Sequence, residues 1–409
     1  MRLWAAQTVS SFGARITREG LALASVLTID AKPFQLGILA ALITGPSAIL
    51  GLFAGGFVDR SRKRSIMIAA DLFRMVVLMT VPVAAWLHLL MMGQLYVVAA
   101  LMGATSLLFD IADHAYLPHL IARENLVEGN TKLSTTESLA EVGGPALAGI
   151  LIQTLTAPFA IAINAVTYLV SAFFLGSISV REDVADTSKK RSTLLSDLRI
   201  GYEAMAHHPM LRPLLVLAVV SPLFGGTFSA LYVIFAIKTL GLSPALIGIT
   251  VGVGGIGSLA GTAMSPRMVG KLGVGKTILL GFFVSAVSAV FVPLASGPLW
   301  LKMASLMVAQ FVGDSMAVAA MIPAASLRQS IIPRNKLGRT AALMSVGANA
   351  SAVIGALAGG IAGTFLGPRL ALFASVAGLV AAPLTAFVSP LWWLKEIPAE
   401  EPKSPAGGP

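Results

Sequence analysis

Gly55-Gly56-Phe57-Val58-Asp59-Arg60-Ser61-Arg62-Lys63-Arg64 separates two long apolar runs, residues 35–57 and 66–87. One carboxylate and four cations crowd into a turn where two membrane helices would meet. Hydrocarbon cannot host that density of charge, so the turn belongs in water, and the bias of Lys and Arg toward cytoplasmic loops puts it on the cytoplasmic side. This reading makes the chain an all-α integral membrane protein and fixes the orientation of its second and third helices.

The rest of the chain agrees. Of 409 residues 56% are hydrophobic and 12% charged, against about 25% charged in soluble domains. Apolar runs long enough to span a bilayer recur at roughly 4–29, 35–57, 66–87, 94–117, 134–156, 158–178, 211–238, 243–265, 277–296, 299–324, 338–364 and 369–394. Twelve transmembrane helices follow, in two six-helix bundles: residues 1–180, a cytoplasmic linker 181–210 with Lys189-Lys190-Arg191 and an amphipathic stretch from Leu194 to Met205, then 211–395, with a disordered tail at 396–409. The start of the chain lacks a cleavage site and is read as a retained first helix. Lys32, Lys238, Lys302 and Arg369 fall outside and Arg15, Arg18 and Arg74 within spans, which leaves 22 of the 29 cations (29 − 4 − 3) inside. Both termini are therefore expected in the cytoplasm, and the net charge of +10 reflects orientation and contact with membrane lipids rather than nucleic-acid binding.

The two bundles repeat at an offset of 211 residues (244 − 33). Pro33, Gly37 and Ile38 recur as Pro244, Gly248 and Ile249. Arg123, Leu126, Ser134, Val142, Gly144, Gly149 and Ile150 recur as Arg334, Leu337, Ser345, Val353, Gly355, Gly360 and Ile361. Two similar bundles about a pseudo-two-fold axis are the plan of transporters that alternate access by rocking one half against the other.

Charges inside the spans mark a cavity, since a buried charge needs water or a partner. Arg15, Arg18 and Glu19 share one face of span 1 with Thr8 and Ser11. Asp110, Asp113 and His114 repeat that spacing near the inner end of span 4, and Glu137 and Glu141 near the inner end of span 5. Asp314 is the lone acid of span 10, close to Gln310. The candidate central-cavity and proton-coupling set is Arg15, Arg18, Glu19, Asp110, Glu141 and Asp314; an arginine of span 1 could reach Asp110. Asp113, His114 and Glu137 are read as reaching the cytoplasmic interface.

Other chemistry is excluded. There are no cysteines, hence no disulfide and no thiolate metal site. His207-His208 lacks further ligands, and no nucleophile–base constellation is present, so neither metal nor enzyme activity is expected, and no cofactor. Gly270-Lys271-Leu272-Gly273-Val274-Gly275-Lys276-Thr277 satisfies the phosphate-loop pattern, and Gly252, Gly254 and Gly257 the dinucleotide one, but each needs a preceding strand, so nucleotide binding is not expected.

Six plus six helices with Gly55-x-x-x-Asp59-Arg60 and a basic run after span 2 resemble the major facilitator superfamily, and most closely its drug-exporter branch of macrolide-efflux and enterobactin-exporter-like proteins. Phe109-Asp110, Tyr116-Leu117-Pro118, Leu126-Val127-Glu128-Gly129-Asn130, Ser326-Leu327-Arg328-Gln329 and Leu337-Gly338-Arg339 are similar to stretches of that group. The chain departs from the pattern at Arg62, where the family usually has Gly, at Ala14, where this branch often has an acid, and in lacking a span 4 arginine. The resemblance implies that Gly55, Asp59, Arg60 and Arg64 form a cytoplasmic gate, with Asp59 capping the positive N-terminal end of span 11. It also implies that Gly144, Pro145 and Gly149 form the antiporter-like motif of span 5. The implied activity is secondary transport in the bacterial inner membrane by a monomer: export of an amphipathic or apolar small molecule by proton antiport. A siderophore or lysolipid exporter is the alternative within transport, and a non-transporting receptor or scaffold the alternative of another class.

Overall fold

The computed structural model describes residues 2–120, 125–178 and 194–397. Arg123, the run Lys189-Lys190-Arg191 and the tail from residue 398 lie outside the described residues, as does the side chain of Asp59, while Gly55 is placed only by its backbone, within α2. Among the described residues every regular element is helical: α1 (Arg2–Thr28), α2 (Pro33–Asp59), α3 (Lys63–Trp86), α4 (Met92–Leu120), α5 (Leu126–Leu155), α6 (Ala157–Gly176), α7 (Leu194–Ala206), α8 (Arg212–Ile234), α9 (Pro244–Leu272), α10 (Val274–Ser288), α11 (Phe291–Leu294), α12 (Leu299–Ile331), α13 (Arg334–Phe365) and α14 (Pro368–Ala386). Among the described residues eleven stretches are long and apolar enough to cross a membrane. α1 falls short of them because Arg15, Arg18 and Glu19 interrupt its apolar run.

Several expected spans change at their ends. The fifth starts at Leu126 rather than residue 134, because an α-helix satisfies its own backbone and continues past the apolar run into water. The seventh stops at Ile234 and finishes in a π turn, Phe235–Thr239. The ninth breaks between α10 and α11: Pro293 has no N–H to offer and its ring crowds the carbonyl four residues earlier, at Ala289, where α10 is capped. The eighth runs on to Leu272, so the phosphate-loop pattern falls across the joint between α9 and α10, with no strand ahead of it.

α1 packs on α5 and α6, α3 on α4 and α6, and α2 on α4; later in the chain α12 packs on α9 and α10, and α8 on α13 and α14. The contacts that join the first six spans to the later ones run chiefly between α2 and α13 and between α5 and α9, with lesser ones from α8 to α2 and α1. α7 lies on α13, where Arg339 Nε pairs with Asp197 Oδ1 at 2.6 Å.

Candidate functional site

The two seams between the first six and the later spans are built from glycine. At Gly37 a Cβ would meet the Ala356 carbonyl oxygen at 2.6 Å and Gly360 Cα at 2.9 Å. At Gly248 it would meet the Pro145 carbonyl oxygen at 2.2 Å and Gly149 Cα at 3.1 Å. No side chain of any size fits either crossing. Gly149 and Pro145 of the span 5 motif thus stand in the α5–α9 seam, while Gly144 faces the other way, against the Arg15 side chain.

Polar contacts reinforce the same end of the molecule. Lys238 Nζ donates to Asp30 Oδ1 at 2.5 Å and to the Ala31 carbonyl at 3.2 Å, and Ala245 N–H donates to Gln153 Oε1 at 3.2 Å. Lys238 holds the Asp30 carboxyl below the usual carboxylate range, by hydrogen bond and by charge. Cations also cap chain carbonyls here: Lys302 Nζ meets Leu240 O at 2.8 Å and Arg369 Nη2 meets Ala295 O at 3.1 Å.

Below this closed end lies a cavity of about 880 Å³, within the range of small-molecule sites. α1, α2, α8, α9, α10, α12 and α14 contribute to its wall. Its charged groups are Arg18, Glu19 and Asp314, with Gln310 one turn before Asp314. Phe228, Tyr232 and Phe282 give it an aromatic face, and the Tyr232 hydroxyl is tied to Thr250 Oγ1 at 3.0 Å.

Three of the six expected cavity residues therefore meet there. Arg15 does not line the cavity; its aliphatic stem packs on Gly144 between α1 and α5. Glu141 is exposed and off the wall, though its charge reaches Asp314. Asp110 also lies off the wall, exposed on α4. His114 Nδ1 lies 2.7 Å from the Asp110 carbonyl oxygen, and Gln7 Nε2 donates to Asp113 Oδ1. Of the expected gate, Arg60 is exposed just past α2. Arg64 donates to the Leu175 carbonyl at 2.8 Å and to that of Gly176, and so clasps the end of α6.

Sequence reasoning missed one buried group. Asp71 and Arg74 of α3 are both buried, and Arg74 Nη2 donates to Asp71 Oδ1 at 2.6 Å. The Arg74 guanidinium lies between the rings of Phe109 and Tyr168, 4.4 Å from each centroid. The signal was present as Asp-x-x-Arg within the third apolar run, a spacing that brings the two side chains onto one face.

The comparisons with known proteins agree with this architecture. The uncharacterized MFS-type transporter YfiS of Bacillus subtilis (strain 168) is 24% identical over 380 residues, 91% of this chain and 88% of that one. A bacterial homologue of the iron transporter ferroportin, solved in its inward-facing state, superposes with a TM-score of 0.67 at 20% identity over 93% of this chain and 97% of that one. The same match to its outward-facing state gives 0.52 at 19% identity over 93% and 98%. The nucleoside transporter NupG gives 0.69 at 12% identity over 94% and 98%. The model of the family described as transmembrane secretion effector matches residues 1–405. The chain belongs to that family of major facilitator transporters; it is a multi-pass membrane transporter and not an enzyme.

Proposed function

We propose that this major facilitator protein exports an amphipathic small molecule from the cytoplasm by alternating access, driven by proton antiport in the manner of the drug-exporter branch. Two six-helix halves, residues 1–180 and 211–395, would rock about the glycine seams in a bacterial inner membrane, with both termini cytoplasmic. The observation that carries the reading is the cavity itself: an aromatic wall for an apolar body, and Glu19 and Asp314 on opposite halves for a charge or a proton. The seams and the Asp30–Lys238 pair close the opposite, external end, and the better match to the inward-facing than to the outward-facing ferroportin homologue supports a cytoplasm-open state. Exposed Arg18 leaves an anionic substrate such as a siderophore or lysolipid as the second reading.

The test is flux in proteoliposomes with an imposed pH gradient, using ethidium as a cationic probe and a fatty-acid dye as an anionic one. Glu19→Gln and Asp314→Asn should each abolish pH-driven ethidium flux while the protein still reconstitutes. Wild-type flux in both variants rejects proton coupling through this cavity, and flux of the anionic dye alone selects the second reading.

A further inference from the structure

The repeat extends to the helices themselves. α3 and α10 start at Lys63 and Val274, and α6 and α14 at Ala157 and Pro368, each pair 211 residues apart (274 − 63; 368 − 157). Every wall residue of the later spans therefore has a counterpart in the first six, and the two sets can be compared position by position.

Ser285, Ser288, Gly313 and Leu379 line the cavity. Their counterparts are Arg74, Val77, Met102 and Tyr168, all buried and none on the wall. At these four positions the first half carries the larger side chain, whereas Phe228, Tyr232, Gln310 and Asp314 of the wall correspond to the smaller Thr17, Leu21, Ala99 and Gly103. Phe282, also on the wall, corresponds to Asp71, the partner of Arg74. The guanidinium sandwiched between Phe109 and Tyr168 fills its slot as a flat, stacked group, and Asp71 neutralises it there. Arg74, Val77, Met102 and Tyr168 are all buried, so they fill at native packing density the positions that line the cavity in the later half.

We infer that the ligand hollow is one-sided. Its recess lies in the later half, between α8, α10, α12 and α14, with α1 and α2 of the first half forming the facing wall, while the equivalent recess between α1, α3, α4 and α6 is plugged by the Arg74–Asp71 pair and Tyr168. Ser285, Gly313 and Leu379 then set the bulk of ligand that enters, and the pocket beside Phe282 takes the apolar or aromatic moiety of an amphipathic molecule whose polar end meets Asp314. The assignment rests on the cavity being the ligand site proposed above.

A chain without cysteine allows a direct test. Single variants Ser285→Cys, Leu379→Cys, Val77→Cys and Ser171→Cys, the last one turn past Tyr168 on α6 and fully buried, are prepared in the full-length chain, in proteoliposomes, and their rates of reaction with N-ethylmaleimide are measured. Thiols in the later half should react at least about tenfold faster than the two in the first half, because reaction requires an accessible thiolate. Adding Leu379→Tyr, the residue the first half uses, should slow labelling at Ser285→Cys by a similar factor, and Tyr168→Leu should expose Ser171→Cys. Equal rates in the four single variants overturn the inference, and they decide it even where Tyr168→Leu does not fold. Labelling is independent of coupling: asymmetric rates alongside wild-type flux in Glu19→Gln and Asp314→Asn reject the proton mechanism alone, whereas symmetric rates reject the one-sided hollow alone.

Discussion

Gly37→Ala is the sharpest test of how the end at the glycine seams, the external one in the function proposed above, is closed. The added methyl would stand 2.6 Å from the Ala356 carbonyl oxygen and 2.9 Å from Gly360 Cα. Both are backbone atoms that cannot rotate away, so α2 and α13 must part for the closed state to survive. Overpacking of this kind costs about 1–3 kcal/mol. The clash exists only while the seam is closed, so the cost falls on one state and shifts the equilibrium toward the form open at this end by about 5- to 150-fold. Gly248 is the repeat counterpart of Gly37, with the Pro145 carbonyl oxygen at 2.2 Å from its added Cβ, and Gly248→Ala should act with similar size. Gly45→Ala is the control on the same helix: its nearest neighbour would be Val353 Cγ2 at 3.7 Å, an ordinary contact. Spin labels at Leu27→Cys and Leu366→Cys, both exposed near the closed end, report the opening as a longer distance population by double electron–electron resonance. An unshifted distribution in Gly37→Ala, or an equal shift in Gly45→Ala, refutes the claim that backbone contact at these glycines holds the end shut.

Three further outcomes are expected. Asp30→Asn should open the same end in the same assay. Because Lys238 depresses the Asp30 carboxyl in the closed state, the wild-type pair is at full strength above the ordinary carboxylate range and weakens as pH falls below about 4, whereas Asp30→Asn should show no such acid limb. Arg74→Leu leaves Asp71 buried without its cation, which costs roughly 3–5 kcal/mol; a large drop in melting temperature in detergent is expected, with Arg74→Lys intermediate because it keeps the charge and loses the stacking. Asp197→Asn should change the melting temperature little, since its pair with Arg339 is about one-third exposed, at 31% and 34%; a drop as large as that of Arg74→Leu would give α7 a structural weight that its exposed ion pair does not support.

The membrane class was legible because charge and hydropathy act locally: ten residues around Asp59 settle where water must be, whatever the rest of the chain does. The close helix packing at Gly149 was legible for a similar reason, since a glycine that lets helices touch leaves its mark in the residue itself. The cavity was legible only in part. Helical spacing puts Arg15, Arg18 and Glu19 on one face, but the rotation of α1 against α5 decides that Arg15 turns to Gly144 while Arg18 and Glu19 turn to the cavity. Arg74 was visible as a charge within a span, yet its partners Phe109 and Tyr168 lie on two other helices, and no periodicity links them.

The repeat explains what the fold shares and the deviations from it explain what the fold does. The two seams are counterparts of each other: Gly37 with Gly248 and Gly360 with Gly149, at one offset (248 − 37; 360 − 149). Equivalent seams give the two halves equivalent pivots, which is what a rocking motion requires. The charges break the pattern. Lys238 corresponds to Leu27, and Asp30, at φ 57°, to Gly241, at φ 70°. Both turns need left-handed backbone, which favours glycine over any other residue, yet the first turn carries Asp, and that Asp is the residue Lys238 reaches. Replacing it with Gly would relax the turn and remove the latch, so stability and opening should rise together. A loss of stability instead would mean that the carboxylate serves the turn rather than the partner across the seam. With one latch, one plugged hollow and one open hollow, a two-fold scaffold acquires a preferred side for its ligand and a preferred end for its gate.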